Sequence, residues 1–432
     1  MKRKYFLFLI IFSLTANCIF ATEVTTFVSP DCSYEILKDF ISGAETSLYI
    51  AVYEFTNPCI LDLLLEKNNL QIILLIDDSP VGGLKLEEKK ILCELEKNNI
   101  STFLYKESGF HHAKYVVRDN SSVLVASENF GYTGFSENPT YGNRGWGAIV
   151  EKDNATGEFL KTFFEDLKNS EKFKCGLEDY EIYCNSKEGN YTQKFKSEKF
   201  SNQKVYSIFA PNAIDEILDL IDSANKSIYI QQMYIYKYWG SRKTGSVEET
   251  PNLFLESAID KSRNGLDVKI LLDSYWYNID RKNPVSNYHT VEYINKIALE
   301  ENLNLEAKLV KLEELGIEKI HNKGMIIDNK TVLVSSINWN EHSPKNNREA
   351  GIVISGNAAE YYAEVFSSDW EGIKCSIQDE EQINYNEDNL NQNEIKNNYK
   401  NIENLKINDF LFAGFFVFFL ALVCFRFFKQ PH

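Results

Sequence analysis

Neither a C-x-x-C nor an H-E-x-x-H spacing occurs in the 432 residues, which removes the usual sequence support for a zinc site. Positive charge is also in deficit. Lys and Arg number 46 against 62 Asp and Glu, for a formal net charge of −16 and a pI near 5.0. That balance argues against a sequence-independent grip on polyanions through overall charge and leaves only a local basic cleft for such a role. Histidine is scarce, with six in the whole chain, and Cys18 does not sit in a lipobox. No cofactor or metal is expected from these patterns. What is present is length and apolar content: 44% hydrophobic residues in a chain this long can bury two or three cores.

Both ends carry targeting features. Met1-Lys2-Arg3-Lys4 followed by YFLFLIIFSLTANCIFA predicts a signal peptide over 1–21, with Ala21 at the cleavage point. Residues 410–428 form a Phe-rich apolar run interrupted only by Arg426, long enough as a helix to cross a bilayer core of about 30 Å. The basic residues outside each run place both termini in the cytoplasm before cleavage. The expectation is a single-pass protein of the cell membrane after signal removal. Its catalytic part is extracytoplasmic, joined through a polar stalk (376–409) to a transmembrane helix and a cytoplasmic tail (429–432). Six cysteines fall in the exterior part: Cys32, Cys59, Cys93, Cys175, Cys184 and Cys375. Fifteen pairings are open to them, and Cys175–Cys184 and Cys32–Cys59 close the shortest loops. Asn-x-Ser/Thr sequons at Asn99, Asn120, Asn154, Asn190, Asn225 and Asn329 permit glycosylation.

Between those ends the chain repeats itself. HHAKYVVRDNSSVLVASENF (111–130) and IHNKGMIIDNKTVLVSSINW (320–339) align without a gap, each with alternating apolar residues on both sides of an Asp-Asn, the pattern of a β-hairpin. Upstream, SYEILKDFISGAE matches AIDEILDLIDSAN as amphipathic helices, and SLYIAVYEF (47–55) matches SIYIQQMYI (227–235) as strands. LQIILLIDD (70–78) and LDVKILLD (266–273) both end in Asp. Downstream, NRGWGAIV (143–150) matches NREAGIVI (347–354), and FFEDL (163–167) matches FSSDW (366–370). Short apolar runs separated by helices predict an α/β fold: a first half over 22–175, a connection over 176–204 and a second half over 205–375. Each half is expected to hold a mostly parallel sheet flanked by helices. The second half carries two insertions, 236–252 and 274–289, whose Trp, Tyr, Lys and Arg residues are candidate substrate walls.

The doubled HxKxxxxD pattern, each copy followed after seven residues by Ser-x-Asn, closely resembles the phospholipase D superfamily over about 22–375. The resemblance implies two similar halves packed so that both motifs meet in one cleft, and chemistry on a phosphodiester. Because both motifs lie in one chain, a dimer is not required for catalysis.

The residue types suit that chemistry independently. Breaking a phosphodiester needs a nucleophile, a proton donor for the leaving oxygen, and fixed donors around the phosphoryl oxygens. His112 and His321 supply the first two, and Lys114, Lys323, Asn129 and Asn338 the third, with Ser127 and Ser336 in support. In an H-x-K triplet on a strand, alternation sends His and Lys to one face. Asp119 and Asp328 fall an odd number of positions beyond the lysines, so alternation points them away as supporting residues. The family pattern has a Glu after the Ser-x-Asn. Glu349 fits that place in the second half, whereas the first half has Gly145. On this reading Glu349 serves His321 and favours its protonated form, which makes His321 the general acid and His112 the nucleophile through a phosphohistidine. Glu128 or Glu137 is available to replace the carboxylate missing from the first half. The functions left open are a phospholipid phosphodiesterase or phosphatidyl transferase, an exterior endo- or exonuclease, and a non-catalytic binding module. The partners are correspondingly a phospholipid or a nucleic acid, and a membrane through the C-terminal helix.

Overall fold

The computed structural model describes residues 22–372. The expected signal peptide (1–21), stalk (376–409), transmembrane helix (410–428) and tail lie outside the described residues. Among the described residues no helix is long and apolar enough to cross a membrane.

The first half runs β1 (Glu23–Ser29), α1 (Ser33–Ser42), β2 (Ser47–Val52), α2 (Pro58–Leu65), β3 (Gln71–Asp77), α3 (Leu86–Lys97), β4 (Ser101–Tyr105), β5 (Tyr115–Arg118), β6 (Ser122–Ala126), β7 (Gly145–Glu151) and α4 (Asn154–Lys168). Two short strands follow, β8 (Ser170–Lys172) and β9 (Glu198–Ser201). The second half repeats the order: β10 (Lys204–Ala210), α5 (Ile214–Asp222), β11 (Ser227–Gln232), α6 (Leu253–Arg263), β12 (Asp267–Leu272), α7 (Asn287–Glu301), β13 (Leu305–Leu309), α8 (Leu312–Leu315), β14 (Lys323–Ile327), β15 (Thr331–Ser335), α9 (His342–Asn346), β16 (Glu349–Ser355) and α10 (Ala358–Glu371).

Local chemistry sets these elements. In α1 the buried Tyr34, Leu37, Phe40 and Ile41 recur at helical spacing, and α5 buries Ile217, Leu220 and Ile221 in the same way. Asn57 caps α2 by accepting from the Cys59 N–H at 3.0 Å, with Pro58 at the first helical position, and Asn252 caps α6 likewise. The hairpins turn at Asp119-Asn120 and Asp328-Asn329. All four residues have positive φ, which Asp and Asn tolerate better than other side-chain-bearing residues.

The sheets are mixed, not mostly parallel. The nine-stranded sheet has the order β8-β4-β3-β2-β5-β6-β7-β1-β9, and the seven-stranded sheet β10-β16-β15-β14-β11-β12-β13. Parallel pairing is confined to β2-β3-β4 and β11-β12-β13, where a helix carries the chain back across the sheet. The rest is antiparallel because tight hairpins and direct returns join it. An apolar run buried on both faces looks the same in either direction, so the sequence pattern did not separate the two cases. The connection after the first half also contributes β9 to the edge of the first sheet.

One apolar core unites the halves, with Trp146, Val150, Phe159 and Phe163 from the first meeting Ile326, Val334, Ile352, Tyr362 and Phe366 from the second. Helices α4 and α10 belong to it, while separate cores lie under α1–α3 and under α5–α7. Two disulfides tie the connection and outer helices to the first half: Cys59–Cys184 and Cys93–Cys175, with Cα separations of 4.6 and 4.9 Å. The short-loop pairs Cys175–Cys184 and Cys32–Cys59 do not form. The packing of α2 and α3 against the chain after β8 brings distant cysteines together instead. Cys32 has no disulfide partner among the described residues, and Cys375 lies outside them.

Candidate active site

Each half hands its motif to the other through the backbone. Arg348, directly before β16, donates its N–H to the Phe110 carbonyl and accepts from the His112 N–H at 2.7 Å. The counterpart is exact in kind: Arg144, directly before β7, donates to Lys319 O and accepts from His321 N–H, both at 2.9 Å. The side chains lock the exchange. Arg144 Nη1 reaches Ser29 O at 2.8 Å and Asp31 at 2.7 Å, and Nε reaches Asp369 of α10 at 2.8 Å. Arg348 repeats this with Ala210 O and Asp166 of α4, both at 2.9 Å. Asp77, the last residue of β3, and Asp273, directly after β12, accept from the backbone N–H of His111 and Ile320 and fix the approach to each histidine. The repeat alignment pairs Arg144 with Arg348 and Asp166 with Asp369, but only the fold reveals that they work across the two halves.

This crossing decides the carboxylates. Glu349 follows Arg348 and so arrives beside His112, not His321: its Oε2 lies 2.7 Å from His112 Nδ1. The expected Glu349–His321 pair is therefore corrected, because a residue at the start of β16 faces the opposite half. Glu349 is fully buried and held by Ser336 Oγ at 2.6 Å, Ser343 Oγ at 2.5 Å and Asn347 Nδ2 at 3.0 Å. His321 takes its carboxylate from Glu128, with Nδ1 to Oε2 at 3.2 Å, and Asn143 Nδ2 donates to the same oxygen at 3.1 Å. Glu137, the other proposed substitute, instead accepts from Tyr34.

The missing Glu at position 145 is thereby explained. A Cβ on Gly145 would stand 2.4 Å from Glu128 Oε1 and 2.8 Å from Ser127 Oγ. The first half places its carboxylate at the middle of Ser-x-Asn and a glycine on the strand. The second half has Ile337 in the middle and its carboxylate on the strand.

The remaining motif residues gather around the histidines or behind them. Lys114 Nζ donates to His112 O, and Lys323 Nζ to His321 O at 2.6 Å, so each ammonium is held against its own triplet. The first triplet lies ahead of β5 outside any strand, and in the second only Lys323 belongs to a strand. Asn129 donates to Glu54 at 3.4 Å, and the Asn338 N–H is fixed by Ser343 Oγ at 3.0 Å. Ser127 Oγ accepts from Trp146 N–H at 3.1 Å, and Ser336 does the same for Ala350 at 3.0 Å while supporting Glu349. Asp119 and Asp328 are remote from this cluster. Asp119 gathers the backbone N–H groups of Glu45, Thr46 and Ser47, and Asp328 those of Asn225, Lys226 and Ser227, which clamps the hairpin turn to the start of β2 or β11. His111 is buried with Nε2 3.5 Å from Asp166.

The electrostatics are those of a positive cavity with two buried carboxylates beneath it. Burial pushes His112 down to about 4 despite Glu349, and Lys114 down to about 7. Burial and the charges of Lys323, Lys319 and Lys114 drive His321 well below its ordinary value, and burial and Lys114 do the same to Lys323. Burial works against ionisation of Glu349, but His112, Lys114 and Ser336 outweigh it and bring its carboxyl to about 2. Burial pushes Glu128 up. Cations crowded until they resist protonation are relieved by an anion placed among them, so the cluster favours a phosphate. Both imidazoles remain reachable, at 13% and 8% side-chain exposure for His112 and His321. The sequence reading missed Tyr53, whose ring stands edge-on to His112 at 4.8 Å, and Lys319, which lines the cavity beside His321.

Residues 37–167 and 217–370 match the family model described as "Cardiolipin synthase, PLD-like domain". A phospholipase D of Rickettsia bellii is 31% identical over 162 residues, 36% of this chain and 63% of that protein, so the chain spans less than two thirds of that relative's length. The crystal structure of a phosphatidylserine synthase from Haemophilus influenzae superposes with a TM-score of 0.58 at 16% identity, covering 82% of this chain and 86% of that one. A phospholipase D family member from Salmonella typhimurium aligns over 35% of this chain and 99% of its own, at 21% identity and a TM-score of 0.32.

Proposed function

Because this chain belongs to the phospholipase D superfamily, we propose that it is a phospholipid phosphodiesterase or phosphatidyl transferase, working outside the cytoplasm from a C-terminal membrane anchor. The observation that carries the reading is the pair of crossed His–Glu couples, His112–Glu349 and His321–Glu128, with Lys114 and Lys323 beside them.

Glu349 accepts a hydrogen bond from His112 Nδ1–H and leaves the Nε2 lone pair facing outward, the arrangement a neutral nucleophile needs. His112 thus keeps the role of nucleophile, on grounds opposite to the sequence expectation: its own carboxylate orients it and stabilises the positive charge that develops on attack. Nε2 bonds to phosphorus as the bond to the leaving alcohol breaks. The charge of a bound phosphate offsets the neighbouring lysines that disfavour a protonated His321, and the imidazolium so stabilised transfers its proton to that alcohol. In the return step His321 takes the proton from water or a second alcohol, whose oxygen attacks phosphorus and releases His112. Lys114, Lys323, Asn129 and Asn338 hold the non-bridging oxygens and supply the positive charge.

The family model's description and the Rickettsia phospholipase D support a lipid substrate. The two disulfides support an oxidising exterior, and the apolar run 410–428 supports an anchor. A nuclease of the same superfamily is the second reading, favoured by the lysines beside His321. The full-length chain in detergent, supplied with chelator and either labelled phospholipid or single-stranded DNA and RNA, separates the two. Release or exchange of headgroup by wild type, lost in His112→Ala and His321→Ala, supports the lipid reading. Turnover of nucleic acid alone overturns it.

A further inference from the structure

The two approaches to the phosphate are unlike, although the fold relates them. Phe110 and Lys319 occupy matching places, each the residue whose carbonyl receives the crossing Arg N–H. On the His112 side, Phe110 packs edge-on against Tyr53 at 5.7 Å, and Tyr53 against His112. On the His321 side lies a cavity of about 280 Å³ lined by His321 but not by His112, with Lys319, Lys187 and Lys85 in its wall.

The carboxylates of that wall are already engaged. Glu54 holds Lys85 at 2.9 Å and accepts from Asn129, and Glu128 is shared between His321 and Asn143. Lys319 and Lys187 form no ion pair among the described residues. Lys319 donates to Tyr277 OH at 3.4 Å, and Lys187 lies over the rings of Tyr132 and Tyr141. Burial works against the charge on Lys319, but Tyr277, Glu128 and Asp273 hold its ammonium above the ordinary value, so it stays a cation. The cavity therefore keeps two ammonium groups without an ion pair among the described residues, and Thr133 and Tyr132 also line it.

We infer that this cavity is the leaving-group subsite and that it takes an alcohol bearing an anionic group of its own, held by Lys319 with Lys187. The inference rests on the assignment of His321 as general acid. The departing oxygen must lie next to the group that protonates it, opposite the attacking His112, so the group it carries extends into the His321-side cavity.

Two substrate pairs that differ by one phosphate test this with the full-length chain. Phosphatidylglycerol is compared with phosphatidylglycerol phosphate, and a thymidine dinucleotide with its counterpart phosphorylated on the leaving nucleoside. The measurement is kcat/KM for each member in wild type, Lys319→Met and Lys319→Arg. Only the Lys319 side chain changes, and its backbone bridge to Arg144 remains. The expected result is a preference for the phosphorylated lipid that falls on the order of tenfold in Lys319→Met, as for loss of one charge-assisted hydrogen bond, and returns in Lys319→Arg. The same pattern in the dinucleotide pair alone leaves the subsite standing and overturns the lipid reading. No preference in either pair, or one that Lys319→Met leaves intact, overturns the subsite.

Discussion

His112 and His321 sit on copies of one hairpin, yet they are held differently. The carboxylate under His112 is fixed by three further donors and hydrogen-bonds the ring at 2.7 Å, whereas that under His321 has Asn143 as its donor and stands 3.2 Å from the ring without a hydrogen bond to it. Tyr53 and Phe110 flank the first, and Lys319 the second. A nucleophile needs one orientation and a lone pair held in place. A proton donor must exchange with a departing alcohol and then with an incoming one. The tighter support belongs with the first task and the looser with the second, so duplication supplied two equal parts and their surroundings made them unequal.

The sharpest way to break this comparison is to remove each histidine. His112→Ala is expected to lower kcat by roughly 10⁴-fold or more and to abolish any acid-labile phosphoenzyme. His321→Ala should cost about 10²–10⁴-fold with natural alcohols, yet still accumulate phosphoenzyme from an ester with a p-nitrophenol leaving group. Phosphate found on His321 instead would reverse the roles.

The arginines that carry the crossing are unequal too. Arg144 is fully buried between Asp31 and Asp369, whereas Arg348 has 19% side-chain exposure and pairs with Asp166. Arg144→Met should destabilise the fold by about 3–5 kcal/mol, since it strands two buried carboxylates. Arg348→Met should cost clearly less, and denaturant melts of the two variants give the order directly.

Among the carboxylates, Glu349→Gln is expected to reduce kcat/KM by about 10–100-fold, by analogy with the loss of other orienting partners of histidine, and Glu128→Gln by less. The pH profile separates orientation from mere damage. His112 must be neutral to attack, so the acid limb of kcat/KM belongs near its value of about 4. Glu349 holds that value up, and the limb should therefore move to lower pH in Glu349→Gln. An unmoved limb with a uniform loss of rate would mean that Glu349 is only structural. Gly145→Glu added to Glu128→Ile, which copies the second half's solution into the first, should recover part of the activity lost in Glu128→Ile alone.

The smallest effect concerns binding. Lys114 loses its proton near pH 7, so its charge is present below that pH and fades above it. KM should rise several-fold from pH 6 to 8, and Lys114→Arg should flatten the rise, because guanidinium stays charged throughout.

The motif residues were legible because two copies fell in register: His112 with His321, Lys114 with Lys323 and Asn129 with Asn338 needed only an alignment. The partners of the histidines were not. Sequence proximity gives Glu349 to His321, and only the backbone bridge from Arg348 to the segment around His112 delivers it to the other half. Gly145 read as a deficit because the compensating Glu128 lies seventeen positions earlier, where spacing alone gives no reason to look. Asp119 and Asp328 are held by the positive-φ turn and by the clamp on β2 and β11, which strand alternation in the sequence does not reveal. The α/β halves followed from matching runs. Strand direction did not, since β2 and β6 are buried throughout and differ only in how they are joined to their neighbours.

The bridges through Arg144 and Arg348 also bear on how such a chain can change over generations. Each half keeps the other's histidine in working order, so neither copy is free to decay or to be exchanged for a foreign one while its twin carries on. The pair is inherited as a unit. The two copies already differ in means, with a carboxylate at position 128 in one and at position 349 in the other, while the service each renders to its twin is the same.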